Sequence, residues 1–156
     1  IVMILGIVFD QVVKIAIVKN IRLSEQKPVI RGILSLTHLQ NNGAAWSILQ
    51  NQQWFFTIVT IVVMIGLVWY YIRQIKGSLW TLFSLSLMMA GALGNFIDRV
   101  RLGYVVDMFH LDFINFPIFN VADIYVTVSM IVLILLCAFY YHDHEIDVLF
   151  SKSKKD

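Results

Sequence analysis

Four apolar runs, residues 1–18, 54–72, 79–97 and 121–141, constrain this chain more than anything else in it. As a helix rising about 1.5 Å per residue, each run is long enough to cross roughly 30 Å of hydrocarbon. The second run is interrupted only by Thr57, Thr60 and Gly66, and the third becomes rich in small residues toward its end. Composition agrees: 59% of residues are hydrophobic and 14% charged, whereas a soluble domain has about 45–50% apolar and about 25% charged residues. The expected fold is an all-α membrane protein with four transmembrane helices, residues 1–156 forming one domain. Trp54, Trp69, Tyr70, Tyr71, Trp80, Tyr140 and Tyr141 lie near the ends of the runs, where interfacial aromatics sit.

With four spans, both termini share a side with the short turn RQIKGS. Charge does not decide which side faces the cytoplasm. Arg73, Lys76, Lys152, Lys154 and Lys155 fall on one side, and Lys19, Arg22, Lys27, Arg31, Arg99 and Arg101 on the other. Ile1 opens inside a hydrophobic stretch with no initiating Met, so a short, charged N-terminal piece is expected ahead of it. The opening run lacks a small-residue cleavage site and holds Asp10 and Lys14, which argues against a cleavable signal peptide. A single cysteine, Cys137, rules out an internal disulfide framework and is expected to be a packing residue. A net charge of +2 is too small to suggest a nucleic-acid partner.

Residues 19–53 do not span. Pro28 and Gly32 punctuate the segment, and residues 33–40 (ILSLTHLQ) have β-favouring character. Asn41-Asn42-Gly43 is a turn signal, because Asn and Gly tolerate positive φ. Residues 44–49 are expected to return as a second strand, giving a small sheet at the membrane surface.

Between the third and fourth runs lies GALGNFIDRVRLGYVVDMFHLDFINFPIFNVAD, residues 91–123, with Asp98, Asp107, Asp112 and Asp123. Carboxylates at a membrane edge are costly and usually mark function. Asn120 is a natural N-cap for the last helix, and Asp123 completes a capping pattern in its first turn. Two carboxylates sharing a water also form an acid/base pair that holds one proton and titrates as a unit. Asp123 is the first member of such a pair, and pattern alone leaves the second open among Asp98, Asp107 and Asp112. Asn95 and Arg99 share one helix face and are expected to wall a groove or form a salt-bridged cap, while Asp98 points elsewhere. Asp10 and Lys14 are one turn apart and pair within the first run, on a face turned into the bundle. The small residues of residues 90–95 permit close helix approach.

Other chemistries fit less well. His38, His110, His142 and His144 form no metal-spaced motif, and His142-Asp143-His144-Glu145 reads as a solvated helix end. No GxSxG elbow or P-loop occurs. No metal and no cofactor is expected. A four-span ion- or proton-translocating subunit and a lipid-modifying enzyme are the competing readings of the acids.

Five blocks, DQVVK (10–14), NNGAAWS (41–47), GALGNFIDR (91–99), GYVVD (103–107) and FNVAD (119–123), resemble the lipoprotein signal peptidase (signal peptidase II) family in order and spacing over essentially the whole chain. Departures are small: Ala90 where glycine is common, Asn42 between Asn41 and Gly43, and Trp46 as the aromatic. The resemblance implies a bacterial membrane aspartyl endopeptidase that cleaves prolipoproteins before a diacylglyceryl-modified cysteine and is inhibited by globomycin. It names Asp107 and Asp123 as the catalytic pair and assigns Asp98 and Asp112 structural roles. Asn41, Gly43, Asn95, Arg99, Asn120 and Ala122 match substrate-binding positions, and Asp10 and Lys14 match a supporting pair. The implied fold adds a small extracytoplasmic β cradle and a short surface helix to the four spans, with both termini cytoplasmic and membrane lipid around the bundle.

Overall fold

The structure, a computed structural model, describes residues 1–43 and 52–141. In chain order these form α1 (Val2–Asn20), β1 (Gln26–Ile30), β2 (Leu34–Asn41), α2 (Gln53–Arg73), α3 (Leu79–Leu102), β3 (Val105–Leu111) and α4 (Val121–Leu135). A π-helical extension, Leu136–Tyr141, continues α4. The helices begin and end close to the expected runs, although α3 carries on through Leu102.

Three helices among the described residues are long and apolar enough to cross a membrane: Gln53–Arg73, Leu79–Leu102 and Val121–Phe139. The α1 helix carries Asp10, Lys14 and Lys19 and falls outside that group on composition. Its buried residues, Gly6, Asp10, Lys14 and Ile17, recur at helical spacing and form one inward stripe. The rest of its surface shows exposed Ile4, Leu5, Val8 and Val12. At the other extreme, α2 has no buried residue at all. A helix apolar on every side, packed on a neighbour along one edge and left uncovered over the rest, belongs in lipid.

The central helix is α3, which packs against α1, α2 and α4. Close approach is written into its small residues. A Cβ added at Gly94 would lie 2.6 Å from Asp10 Oδ2 and 3.2 Å from Ala122 Cβ, and one at Gly91 would strike the Ala122 carbonyl. The helix stops at Gly103, whose φ of 81° is the left-handed turn that glycine adopts without strain, and its N–H reaches the Arg99 carbonyl.

That turn delivers the chain into β3, part of an antiparallel sheet in the order β1-β2-β3. Asp107, between the third and fourth apolar runs, lies on β3, opposite Leu39 of β2. The β1 strand was missed, because Pro28 read as a breaker. Proline lacks an N–H but is tolerated on an outermost strand. The register slips between Leu36 and Leu39, and Gly32 turns β1 into β2 with φ of 74°. A core of Ile17, Ile21, Val106, Met108 and Val121 ties the sheet to the ends of α1 and α4.

Two expectations on local chemistry differ from the structure. The positive φ angles of the described residues are at Ser24, Gly32 and Gly103, so the bend at Asn41–Gly43 is made without them. It is held instead by the Asn41 side-chain oxygen accepting the Gly43 N–H at 2.9 Å. Cys137 is exposed rather than packed, because it falls on the outer surface of the π-helical extension. The second strand expected at residues 44–49 and the charged cluster 142–145 lie outside the described residues.

Candidate active site

A short stretch of irregular chain after β3 brings the two halves of the site together. Phe119 returns antiparallel to Phe109, with N–H to O distances of 2.8 and 3.2 Å in the two directions. Their rings also meet, at a centroid distance of 5.5 Å. This bridge sets Asn120 beside Asp107. Asn120 then caps α4: its side-chain oxygen accepts the Asp123 N–H at 3.1 Å, and its own N–H donates to Asp123 Oδ2 at 3.0 Å. The capping box expected from sequence is therefore present.

Asn120 does more than cap. Its Nδ2 donates to Asp107 Oδ1 at 2.6 Å and to Asn95 Oδ1 at 3.1 Å. Asn95 Nδ2 in turn donates to Asp123 Oδ1 at 2.7 Å. Asn41, at the end of β2, donates to Asp107 Oδ2 at 2.8 Å. Two carboxylates are thus held by three asparagine amides, and both line one cavity of about 530 Å³. Asp107 is 1% exposed. Burial, and then the charge of Asp123, push its carboxyl up from the ordinary 3.8 to about 7, against the opposing hydrogen bonds from Asn120 and Asn41. A carboxyl of this kind still carries its proton in a large share of molecules near neutrality and can donate it.

Behind this site sits a buried ionic cluster. Lys14 Nζ lies 3.0 Å from both Asp10 Oδ2 and Asp98 Oδ2, and donates to Asn95 Oδ1 at 3.0 Å. Because an ammonium only donates, it fixes which end of the Asn95 amide faces Asp123. Asp10 Oδ1 accepts the Ala122 N–H at 3.0 Å, satisfying a free donor in the first turn of α4. Asp98 accepts the Val106 N–H at 3.1 Å and so pins β3 one residue before Asp107. Asp98 and Asp112 both prove to be joints. Asp112 takes hydrogen bonds from Ser35 Oγ at 2.8 Å and Gln26 Nε2 at 2.9 Å across the sheet.

The cavity is lined by most of the residues singled out from sequence: Asn41, Gly43, Asn95, Arg99, Asp107, Asn120 and Asp123. Asn95 and Arg99 do share a wall, and Asp98 faces α1 instead. Ala122 is placed behind the groove, fully buried, with its N–H on Asp10 and its Cβ side against Gly94. Sequence reasoning passed over the apolar end of the cavity, formed by Leu111, Phe116, Pro117, Ile118, Ile124, Thr127 and Val128. The helical spacing of Thr127 from Asp123 was the available signal. Gln11 was also passed over. It donates to Asp98 Oδ1 at 2.9 Å and to the Gly94 carbonyl at 3.3 Å. Among the described residues, no three His, Cys, Asp or Glu side chains converge to hold a metal ion.

A lipid-suited helix set with a carboxylate pair in a mainly apolar groove has the layout of a membrane aspartic peptidase. A family model described as Signal peptidase (SPase) II matches residues 2–139, and the chain belongs to that family. It is similar to a lipoprotein signal peptidase of Streptococcus agalactiae serotype Ia, 58% identical over 86% of this chain and 88% of that protein. One from Streptococcus pyogenes serotype M1 is 51% identical over 91% of this chain and 93% of its own length. A solved structure of a bacterial membrane enzyme aligns with a TM-score of 0.81 at 38% identity, covering 99% of this chain and 89% of the other. The enzyme reading thus holds, and ion translocation is not favoured.

Proposed function

We propose that this peptidase removes signal peptides from prolipoproteins by activating a water between Asp107 and Asp123, cutting the bond before a diacylglyceryl-modified cysteine. The observation that carries this reading is the pairing itself: Asn120 links a buried, proton-holding carboxyl on β3 to a carboxylate at the positive end of α4. Asp123 takes a proton from the water as its oxygen adds to the scissile carbonyl carbon, while Asp107 gives its proton to the carbonyl oxygen. Asp123 then passes its proton to the departing nitrogen as the C–N bond breaks, and Asp107 recovers its own from the hydroxyl of the collapsing intermediate. The apolar end of the cavity, from Leu111 to Val128, accommodates acyl chains, and binding them holds the peptide over the pair.

In this reading α1 is a fourth crossing, with Asp10 and Lys14 turned inward and apolar residues outward. Both termini are cytoplasmic, the sheet forms an extracytoplasmic cradle, and globomycin competes for the groove. Labelling single cysteines placed at Lys27 and at Lys76 in intact cells tests the topology, because only the first should react with an impermeant reagent. For the chemistry, Asp107→Asn and Asp123→Asn should each abolish cleavage of a lipidated precursor while the protein still purifies folded. Normal turnover by either variant overturns the assignment.

A further inference from the structure

The Arg99 guanidinium is oddly held for a half-buried cation. Among the described residues it makes no ion pair within 4.0 Å, although Asp107 and Asp123 line the same cavity. Its two hydrogen bonds, Nη1 to the Asn95 carbonyl and Nη2 to the Gly43 carbonyl, are both 3.4 Å long, beyond the usual N–H to O range. Among the described residues, its buried Nε has no hydrogen-bond partner. One contact has good geometry. The guanidinium carbon stands 4.8 Å from the centre of the Phe56 ring, within the range of a cation–π interaction.

Phe56 lies in the first turn of α2. That helix packs mainly on α3 and buries no residue, so it supplies little else to the site. The ring of Phe56 is itself braced edge-on by Phe55, at a centroid distance of 5.7 Å. An arginine clamped by a carboxylate spends its donors on that partner. One held by an aromatic face keeps them in its plane, free to turn to another acceptor. From this geometry we propose that Phe56 is a positioning residue for substrate: its ring holds the Arg99 guanidinium over the groove, so that the N–H donors can be given to peptide carbonyls of the prolipoprotein.

The inference rests on the proposed peptidase reading and adds a component from α2. Its chemistry calls for an aromatic face at residue 56, not only for apolar volume. The test is steady-state cleavage of a diacylglyceryl-modified prolipoprotein by the detergent-solubilised full chain. Phe56→Leu should raise KM about tenfold, the scale of a desolvated cation–π contact, with kcat changed by less than about threefold. Phe56→Trp should restore a KM near that of the parent. In an Arg99→Gln background, Phe56→Leu should have little further effect, because the ring acts through the arginine. Phe56→Met repeats the comparison should the leucine variant not fold. Equal impairment by Trp and Leu, or an undiminished effect of Phe56→Leu in the Arg99→Gln background, would show that Phe56 merely packs and overturn the inference. An unchanged KM for Arg99→Gln would overturn it too, by removing the arginine from substrate binding. That result leaves the peptidase reading standing, since the latter fails only if Asp107→Asn or Asp123→Asn retains activity.

Discussion

Asp107 is the residue whose surroundings say most about how the enzyme should behave. Its carboxyl is raised to about 7 from 3.8 by burial and by the charge of Asp123. Between those values the folded protein keeps a proton that the unfolded chain has released. The stabilising contribution of this group is therefore complete below 3.8 and is lost as the pH rises through about 7. Activity should follow the same direction on its alkaline side: kcat/KM falls as Asp107 ionises around 7. A pH profile that stays flat well above neutrality would contradict its role as the acid. Asn120→Ser sharpens the test. Serine still caps α4, but the amide donated to Asp107 at 2.6 Å is gone. Since that bond favours the charged form, its loss should move the alkaline limb to higher pH as well as lower kcat. Of this chemistry the sequence alone revealed half. Asp123 was legible from the N-cap pattern of Asn120, which is local in the chain. Asp107 was not, because its partner on the sheet and the Asn41 amide come from residues far away in sequence. Only the GYVVD block identified it.

At the scale of elements, the helices were readable because hydrophobic run length is a strong signal, whereas of the three strands only β2 was, at residues 33–40. The β1 strand contains Pro28 and has all five residues exposed, so neither alternation nor burial marked it. The β3 strand follows α3 after only Gly103 and Tyr104 and was hidden by the acid within it, Asp107. The decisive joint between elements is the crossing of α1, α3 and α4 at Gly94. Gly94→Ala places a Cβ 2.6 Å from the Asp10 carboxylate that holds the Ala122 N–H. The helices must part by several tenths of an ångström or Asp10 must move, at a cost of about 1–3 kcal/mol. We expect a lower melting temperature in detergent together with reduced turnover, since the first turn of α4 also carries Asp123. An unchanged melting temperature would show that the crossing is looser than it looks.

For the molecule as a whole, the distribution of exposed apolar surface defines its solvent. Val62, on α2, is 63% exposed, and its neighbours on that helix are mostly exposed and aliphatic as well. Val62→Arg near the middle of this helix should disfavour insertion by about 2.5–3.5 kcal/mol, seen as loss of membrane-integrated protein, whereas Val62→Leu should be neutral. Full insertion of the arginine variant would mean that this face is not turned to lipid. The class of fold was legible at this scale from composition alone. The placement of the buried ionic cluster was only partly so: Asp10 and Lys14 announced a pair, but the third member, Asp98, is joined to them by the packing of α3 on α1.

Pro28 on the outermost strand has one further consequence. Many peptide-binding proteins take up an extended ligand by adding it to a free sheet edge. Here neither edge is fully open to that. On one side Pro28 offers no N–H and the register is broken between Pro28 and Ile30. On the other, the N–H groups of Met108 and Phe109 are given to the Phe119 carbonyl and that of Val106 to Asp98. A signal peptide is thus discouraged from docking as a fourth strand. In the proposed reading, recognition rests instead on the side-chain amides and the arginine that line the groove. The same closed edges protect the sheet from pairing with a second copy of itself in a crowded membrane.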